Sequence, residues 1–135
     1  MADHEFDEFL KRRLTASDAY VNGDPEPLDQ IVPHSGEASF HSPSGDTVNG
    51  AEGVAARNRK DAAMFAPGSK NRFDILQQGS DGDLGFWTGF QIASACMAGK
   101  KDPVEMKIRI TEIFRRTDGT WKMVHRHADT GTTAK

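Results

Sequence analysis

The residues best suited to chemistry lie in the last third of the chain: Arg109, Glu112, Arg126 and the run His125-Arg126-His127-Ala128-Asp129. A carboxylate beside a guanidinium in apolar surroundings is one way to tune a general acid or base. Burial raises a carboxylate pKa and a nearby cation lowers it. Glu112 and Arg126 are therefore the candidate catalytic pair, although the same two side chains also read as a structural ion pair that fixes strand register. Arg109, with Thr111 two positions on, is a candidate clamp for an anion or carboxylate, because the guanidinium presents a planar fork.

His125-x-His127-x-Asp129 points its side chains the same way along a strand, as a zinc site requires. No further Cys or His cluster completes a set of four ligands, so no metal is expected, and His127 is kept as a candidate ligand contact. His41, on the first strand, and His34 are further candidates by position, and both also read as core or surface groups. Trp87, with Phe86, Phe90, Met64 and Phe65, is the candidate apolar wall for a flat or hydrophobic ligand, and the same aromatics also read as plain core. Trp87 and Gln91 share one strand face, while Phe86, Thr88 and Phe90 share the other.

These groups need a sheet to hold them. Apolar and polar residues alternate from Val104 to Arg116 and again from Trp121 to Asp129, with Asp118-Gly119 between them supplying the positive φ angles of a tight hairpin turn. A strand of that length spans roughly 40 Å and has to bend in so small a protein. The turn leaves two registers open. A two-residue loop sets Glu112 opposite His125, whereas a three-residue loop with Gly119 in a bulge sets Glu112 with Arg126 and groups Arg109 and Thr111 with His125 and His127.

Upstream, Phe6, Phe9, Leu10, Leu14 and Tyr20 recur at helical spacing before Gly23. Asp24-Pro25 opens a short helix to Ile31, Glu37 to Ser42 forms a short strand closed by a Ser-Pro-Ser-Gly turn, and a helix runs from about Ala51 to Phe65. Strands follow at Asn71 to Gln77 and Leu84 to Met97. Helices first and strands later is an α+β arrangement, and 135 residues suit one domain, 1–135.

Composition narrows the partners. A net charge of −3 without a basic stripe argues against nucleic acid, and Lys11-Arg12-Arg13 is too short to supply one; the triplet reads as a solvated helix face. Cys96, the single cysteine, sits in an apolar run and reads as a buried inert thiol. Met1-Ala2-Asp3-His4-Glu5 lacks a leader signature and no apolar stretch is long enough to span a bilayer, so a cytoplasmic protein with no membrane partner is expected.

The succession of elements, and above all Arg109-Ile110-Thr111 followed by Asp118-Gly119-x-Trp121-Lys122-x-Val124-His125-x-His127, resembles the SnoaL-like branch of the nuclear transport factor 2-like superfamily over nearly the full length. The last part is also similar to the association domain of calcium/calmodulin-dependent kinase II. The resemblance implies a cone-shaped α+β barrel, with a strongly curved, mainly antiparallel sheet packed on about three N-terminal helices. It also implies a cavity between helices and sheet, homodimerisation through the sheet's outer face, and the second of the two registers.

Members of that superfamily include polyketide cyclases, ketosteroid isomerase and limonene-epoxide hydrolase, as well as noncatalytic assembly domains. The ketosteroid isomerase base and oxyanion-hole residues have no counterparts here by motif, and Tyr20 is the only tyrosine. Two functions follow as expectations. One is a cofactor-independent isomerase, cyclase or hydrolase acting on a small hydrophobic or carboxylate-bearing molecule. The other is a noncatalytic dimerisation or ligand-sensing module. An open apolar pocket containing a carboxylate of raised pKa favours the first, and an ion-paired interior favours the second.

Overall fold

The structure, a computed structural model, describes residues 2–131, with side chains from residue 4 onward. Met1, part of the segment read for a leader, lies outside the described residues. Three helices, α1 (Ala2–Tyr20), α2 (Glu26–Asp29) and α3 (Ala51–Ala62), pack on one sheet of six strands. The strands are β1 (Ser39–His41), β2 (Thr47–Asn49), β3 (Lys70–Asp81), β4 (Leu84–Ala95), β5 (Val104–Thr117) and β6 (Thr120–Asp129). Their order is β2-β1-β6-β5-β4-β3, antiparallel throughout except where β1 runs parallel to β6. This is the α+β, cystatin-like architecture expected. No helix among the described residues is long and apolar enough to cross a membrane.

The single strand expected at Glu37 to Ser42 is instead one arm of a small hairpin. Ser42 and Asp46 close its turn by backbone and side-chain hydrogen bonds, and Thr47–Asn49 returns as β2. α3 stops three residues early, because Phe65 leaves the helix to bridge Met97.

The final hairpin combines features of both expected registers. Asp118 (φ 52°) and Gly119 (φ 77°) form a two-residue turn with Thr117 opposite Thr120. Phe114 pairs with Met123 but Ile113 pairs with His125, so Val124 is an extra residue and the register shifts by one. Beyond that bulge Glu112 faces Arg126, and Thr111 faces His127. The pairing favoured from the resemblance is present at the site, and it comes from a bulge at Val124 rather than from the turn.

The inner face of the sheet carries Trp87, Gln91, Ile110, Glu112 and Phe114, all buried. At one end it meets the apolar stripe of α1. Phe6 stacks edge-on against Trp121 at 5.1 Å between ring centroids, and Phe9 against Phe114 at 5.3 Å. The backbone of β4 comes so close to this cluster that a Cβ on Gly85 would lie 2.4 Å from Phe6. That end of the cone is therefore solid, and open space is left at the other.

Candidate functional site

On α1 the stripe of Phe6, Phe9 and Leu10 continues through Arg13 and Ser17 to Tyr20, at steps of three or four residues. Arg13 thus projects into the interior and is 2% exposed. The solvated face read for Lys11-Arg12-Arg13 is corrected at its third residue: the helix turns Lys11 and Arg12 to solvent and Arg13 to the sheet.

Glu112 waits there on β5. Arg13 donates from Nε to Oε1 at 2.8 Å and from Nη2 to Oε2 at 2.6 Å. Trp87 donates from Nε1 to Oε1 at 2.7 Å, and Arg126 donates from Nη1 to Oε2. Four donors fill the acceptor capacity of one carboxylate, and Glu112 has no exposed surface. Burial is the largest single influence on its pKa and pushes it up. The Arg13 and Arg126 charges, with hydrogen bonds from Arg13 and Trp87, outweigh it and hold the group down to about 2.

Glu112 is therefore ionised, saturated and sealed, the opposite of the raised, accessible carboxylate expected of an acid-base group. Trp87 is likewise displaced from the role of apolar wall. Its ring is wholly buried, edge-on to Phe73 at 5.2 Å, with its N–H spent on Glu112.

A pocket of about 640 Å³ opens beside this cluster, between α1, α3 and the inner face of β4–β6. Arg13 and Arg126 reach its wall, but Glu112 does not. Arg126 keeps its side chain 16% exposed and donates from Nη2 to Gln91 Oε1 at 3.1 Å; Gln91 in turn donates to Asn71 Oδ1 at 2.8 Å. Within this cluster two guanidiniums share one carboxylate, whereas at the α3 wall Arg57 alone pairs with both Asp61 and Asp46.

The rest of the wall is largely apolar, with Phe40, Leu28 and Ile108 inside and Met64 and Val104 partly exposed at the mouth. Tyr20 and Asp61 also line it. Burial first, and then the Asp61 charge, push the Tyr20 hydroxyl up to about 12, so it stays protonated. Arg57 holds Asp61 from Nε at 2.9 and 3.0 Å.

The remaining expected residues lie on the opposite, outer face. Arg109 donates from Nε to Asp129 Oδ1 at 2.7 Å, and His127 Nε2 lies 3.3 Å from the other oxygen. His41 meets His125 and His127 edge-on, at 5.1 and 5.2 Å between ring centroids. Burial, followed by the neighbouring His41 and His127, lowers the His125 pKa. Among the described residues no group of three His, Cys, Asp or Glu has the geometry to hold a metal. Arg109, His127 and His41 flank a shallow outer groove or its rim, because strand alternation sends odd-numbered residues of β1, of β5 and of β6 beyond the Val124 bulge outward, where Phe40, Glu112 and Arg126 point in. The pocket-facing residues that sequence reasoning passed over include Arg13, Ser17 and Asn58, together with Asp61, which the helical spacing of α3 assigns to the solvent face.

A SnoaL-like domain family matches residues 15–129. No curated protein matches the chain significantly. Among solved structures, the chain is similar to a provisionally assigned dehydratase of the nuclear transport factor 2-like family from Streptomyces avermitilis. They share 19% identity at a TM-score of 0.77 over 98% of this chain and 100% of that one. It is similar also to a provisionally assigned scytalone dehydratase from Novosphingobium aromaticivorans, at 13% identity, TM-score 0.76, and 96% and 86% coverage. A third is a provisionally assigned calcium/calmodulin-dependent protein kinase type II association domain from Thiobacillus denitrificans, at 18% identity, TM-score 0.68, and 87% and 90% coverage. At such identities these structures establish the fold and no activity. With most of its length matched, from the second half of α1 to the end of β6, the chain belongs to the SnoaL-like domain family.

Proposed function

We propose that this domain binds a small amphipathic carboxylate in the pocket, with the anion against Arg126 and the apolar body directed toward the methionine-bordered mouth. The observation that carries the reading is the second guanidinium at Glu112, which reaches the wall of a largely apolar pocket. Glu112 neutralises only one of Arg13 and Arg126, and Arg126 is the one with exposed surface and with fewer of its N–H groups engaged. A buried cation without a full partner is costly, and an incoming carboxylate removes that cost while gaining charge-assisted hydrogen bonds. A volume of about 640 Å³ suits a ligand of ordinary metabolite size.

Catalysis on such a ligand is the second reading, favoured by Tyr20 and Asp61. A phenol that keeps its proton and a carboxylate whose charge acts on it stand in one pocket wall, as an isomerase, cyclase or hydrolase without a cofactor would need. Assembly as a homodimer through the outer sheet face is part of the same proposal. Phe86 and Ile113 oppose each other there at 38% and 39% exposure.

Thermal melts with decanoate, decanol and methyl decanoate test the binding reading. Decanoate raises the melting temperature and the two uncharged analogues do not, and Arg126→Met, which leaves Arg13 and Glu112 as a balanced pair, removes the shift while still folding. Equal stabilisation by the methyl ester, or none by decanoate, sinks it.

A further inference from the structure

Asn58 brings a buried polar group without a partner to the pocket wall. It sits on the inward face of α3, 5% exposed, and its Nδ2 has no hydrogen-bond partner among the described residues. A buried amide donor left unpaired costs free energy, and nearly all such groups in folded proteins find a partner. Nothing in its own helix needs it: Asn58 lies mid-helix, where Ala or Leu would be the better helix former. The neighbouring residues on the same stripe, Val54 and Ala62, are apolar and buried. A polar residue at that one position is explained by something that enters the pocket.

Its location narrows what that is. Asn58 lines the main pocket together with Arg126, and both also border a small crevice beside Phe40 and Met123. Phe40 is the β1 residue paired with Arg126. Asn58 therefore stands on the helix side of the pocket, with Arg126 and its strand neighbour Phe40 on the sheet side. A ligand whose carboxylate meets Arg126 brings the atoms next to that carboxylate under the Asn58 amide.

We infer that Asn58 and Arg126 form a two-point recognition site, and that the ligand class is an amphipathic carboxylate bearing a hydroxyl or keto oxygen close to the carboxylate. Arg126 takes the charge, and Asn58 donates to the second oxygen. The inference rests on the carboxylate reading of the pocket and adds the group that makes binding selective. A site built to hydrogen-bond one oxygen discriminates against the analogue that lacks it, because the buried donor then stays unpaired.

The test is calorimetric titration of the intact protein with decanoate, α-hydroxydecanoate and β-hydroxydecanoate, repeated on Asn58→Leu and Asn58→Ala. One of the hydroxy acids binds the wild type about tenfold more tightly than decanoate, as one added hydrogen bond provides. In both variants that preference disappears while decanoate affinity is kept. Asn58→Leu removes an unpaired buried donor at similar volume, so it melts no lower than the wild type; Asn58→Ala covers the case in which the longer side chain does not fit. Decanoate binding with no hydroxy-acid preference, or a preference that survives both substitutions, overturns the Asn58 assignment alone. Failure of all three acids to bind overturns the carboxylate reading and this inference with it.

Discussion

Arg13 and Glu112, 99 residues apart in sequence, meet in a two-bond fork that ties the middle of α1 to the inner face of β5. Its members are 2% and 0% exposed, so neither has water to fall back on.

Glu112→Gln keeps the volume and removes the charge that holds Arg13 and Arg126 together. Breaking one partner of a buried ion network costs about 3–5 kcal/mol, because the others are left buried and unpaired. Urea denaturation of Glu112→Gln against the wild type measures this, and a loss below about 1 kcal/mol contradicts the network as described. A double-mutant cycle with Arg13→Met isolates the pair, with a coupling of more than about 1 kcal/mol expected.

The same carboxylate sets an acid limit. Its pKa is depressed from 4.5 to about 2 on folding, so the unfolded chain takes up the proton first and stability falls with falling pH. The contribution is complete above about pH 5 and is lost progressively as pH drops toward 2, amounting to about 3 kcal/mol over that window. Denaturation midpoints at several pH values show this slope in the wild type, and Glu112→Gln flattens it. An unchanged slope in the variant would assign the acid sensitivity to other carboxylates, Asp46 and Asp129 among them, which are also depressed by paired arginines.

Much of this architecture is legible in the chain, and the failures have identifiable causes. The hairpin and the helices announce themselves by period and by Asp118-Gly119. Met123-Val124, two apolar residues in succession, breaks the alternation and marks the bulge that decides which register reaches Glu112. Arg13 carries a similar signal, since it continues the Phe6, Phe9, Leu10 stripe and a cation on an apolar stripe requires a partner. What the sequence alone does not hold is the identity of that partner, which the fold brings in from a distant strand. Arg109, His41 and His127 were plausible by type, but a one-residue parity puts them on the outer face.

Gly85 offers a check on the solid end of the cone. Gly85→Ala places a methyl carbon 2.4 Å from Phe6 Cε1, and the ring is hemmed in by Phe9, Phe114 and Trp121. Overpacking of this kind costs about 1–3 kcal/mol. Phe6→Leu in the same chain relieves it, so the double variant is more stable than the sum of the single losses predicts. Simple additivity in denaturation data would mean that the ring moves aside freely.

The outer face of the sheet gives the last prediction. Leu84, Phe86 and Ile113 are 51%, 38% and 39% exposed, and Phe86 lies directly across from Ile113. The helices occupy the inner face and cannot cover them. A twofold contact between copies is the commonest way to bury such a patch, and it places each Ile113 near the partner's matching surface. Light scattering at micromolar concentration should give twice the chain mass for the wild type. Ile113→Lys, which adds a charge to a position that faces no internal group, should give the monomer with its fold intact by circular dichroism. A monomeric wild type, or a dimer unaffected by Ile113→Lys and Phe86→Glu together, would place the assembly surface elsewhere.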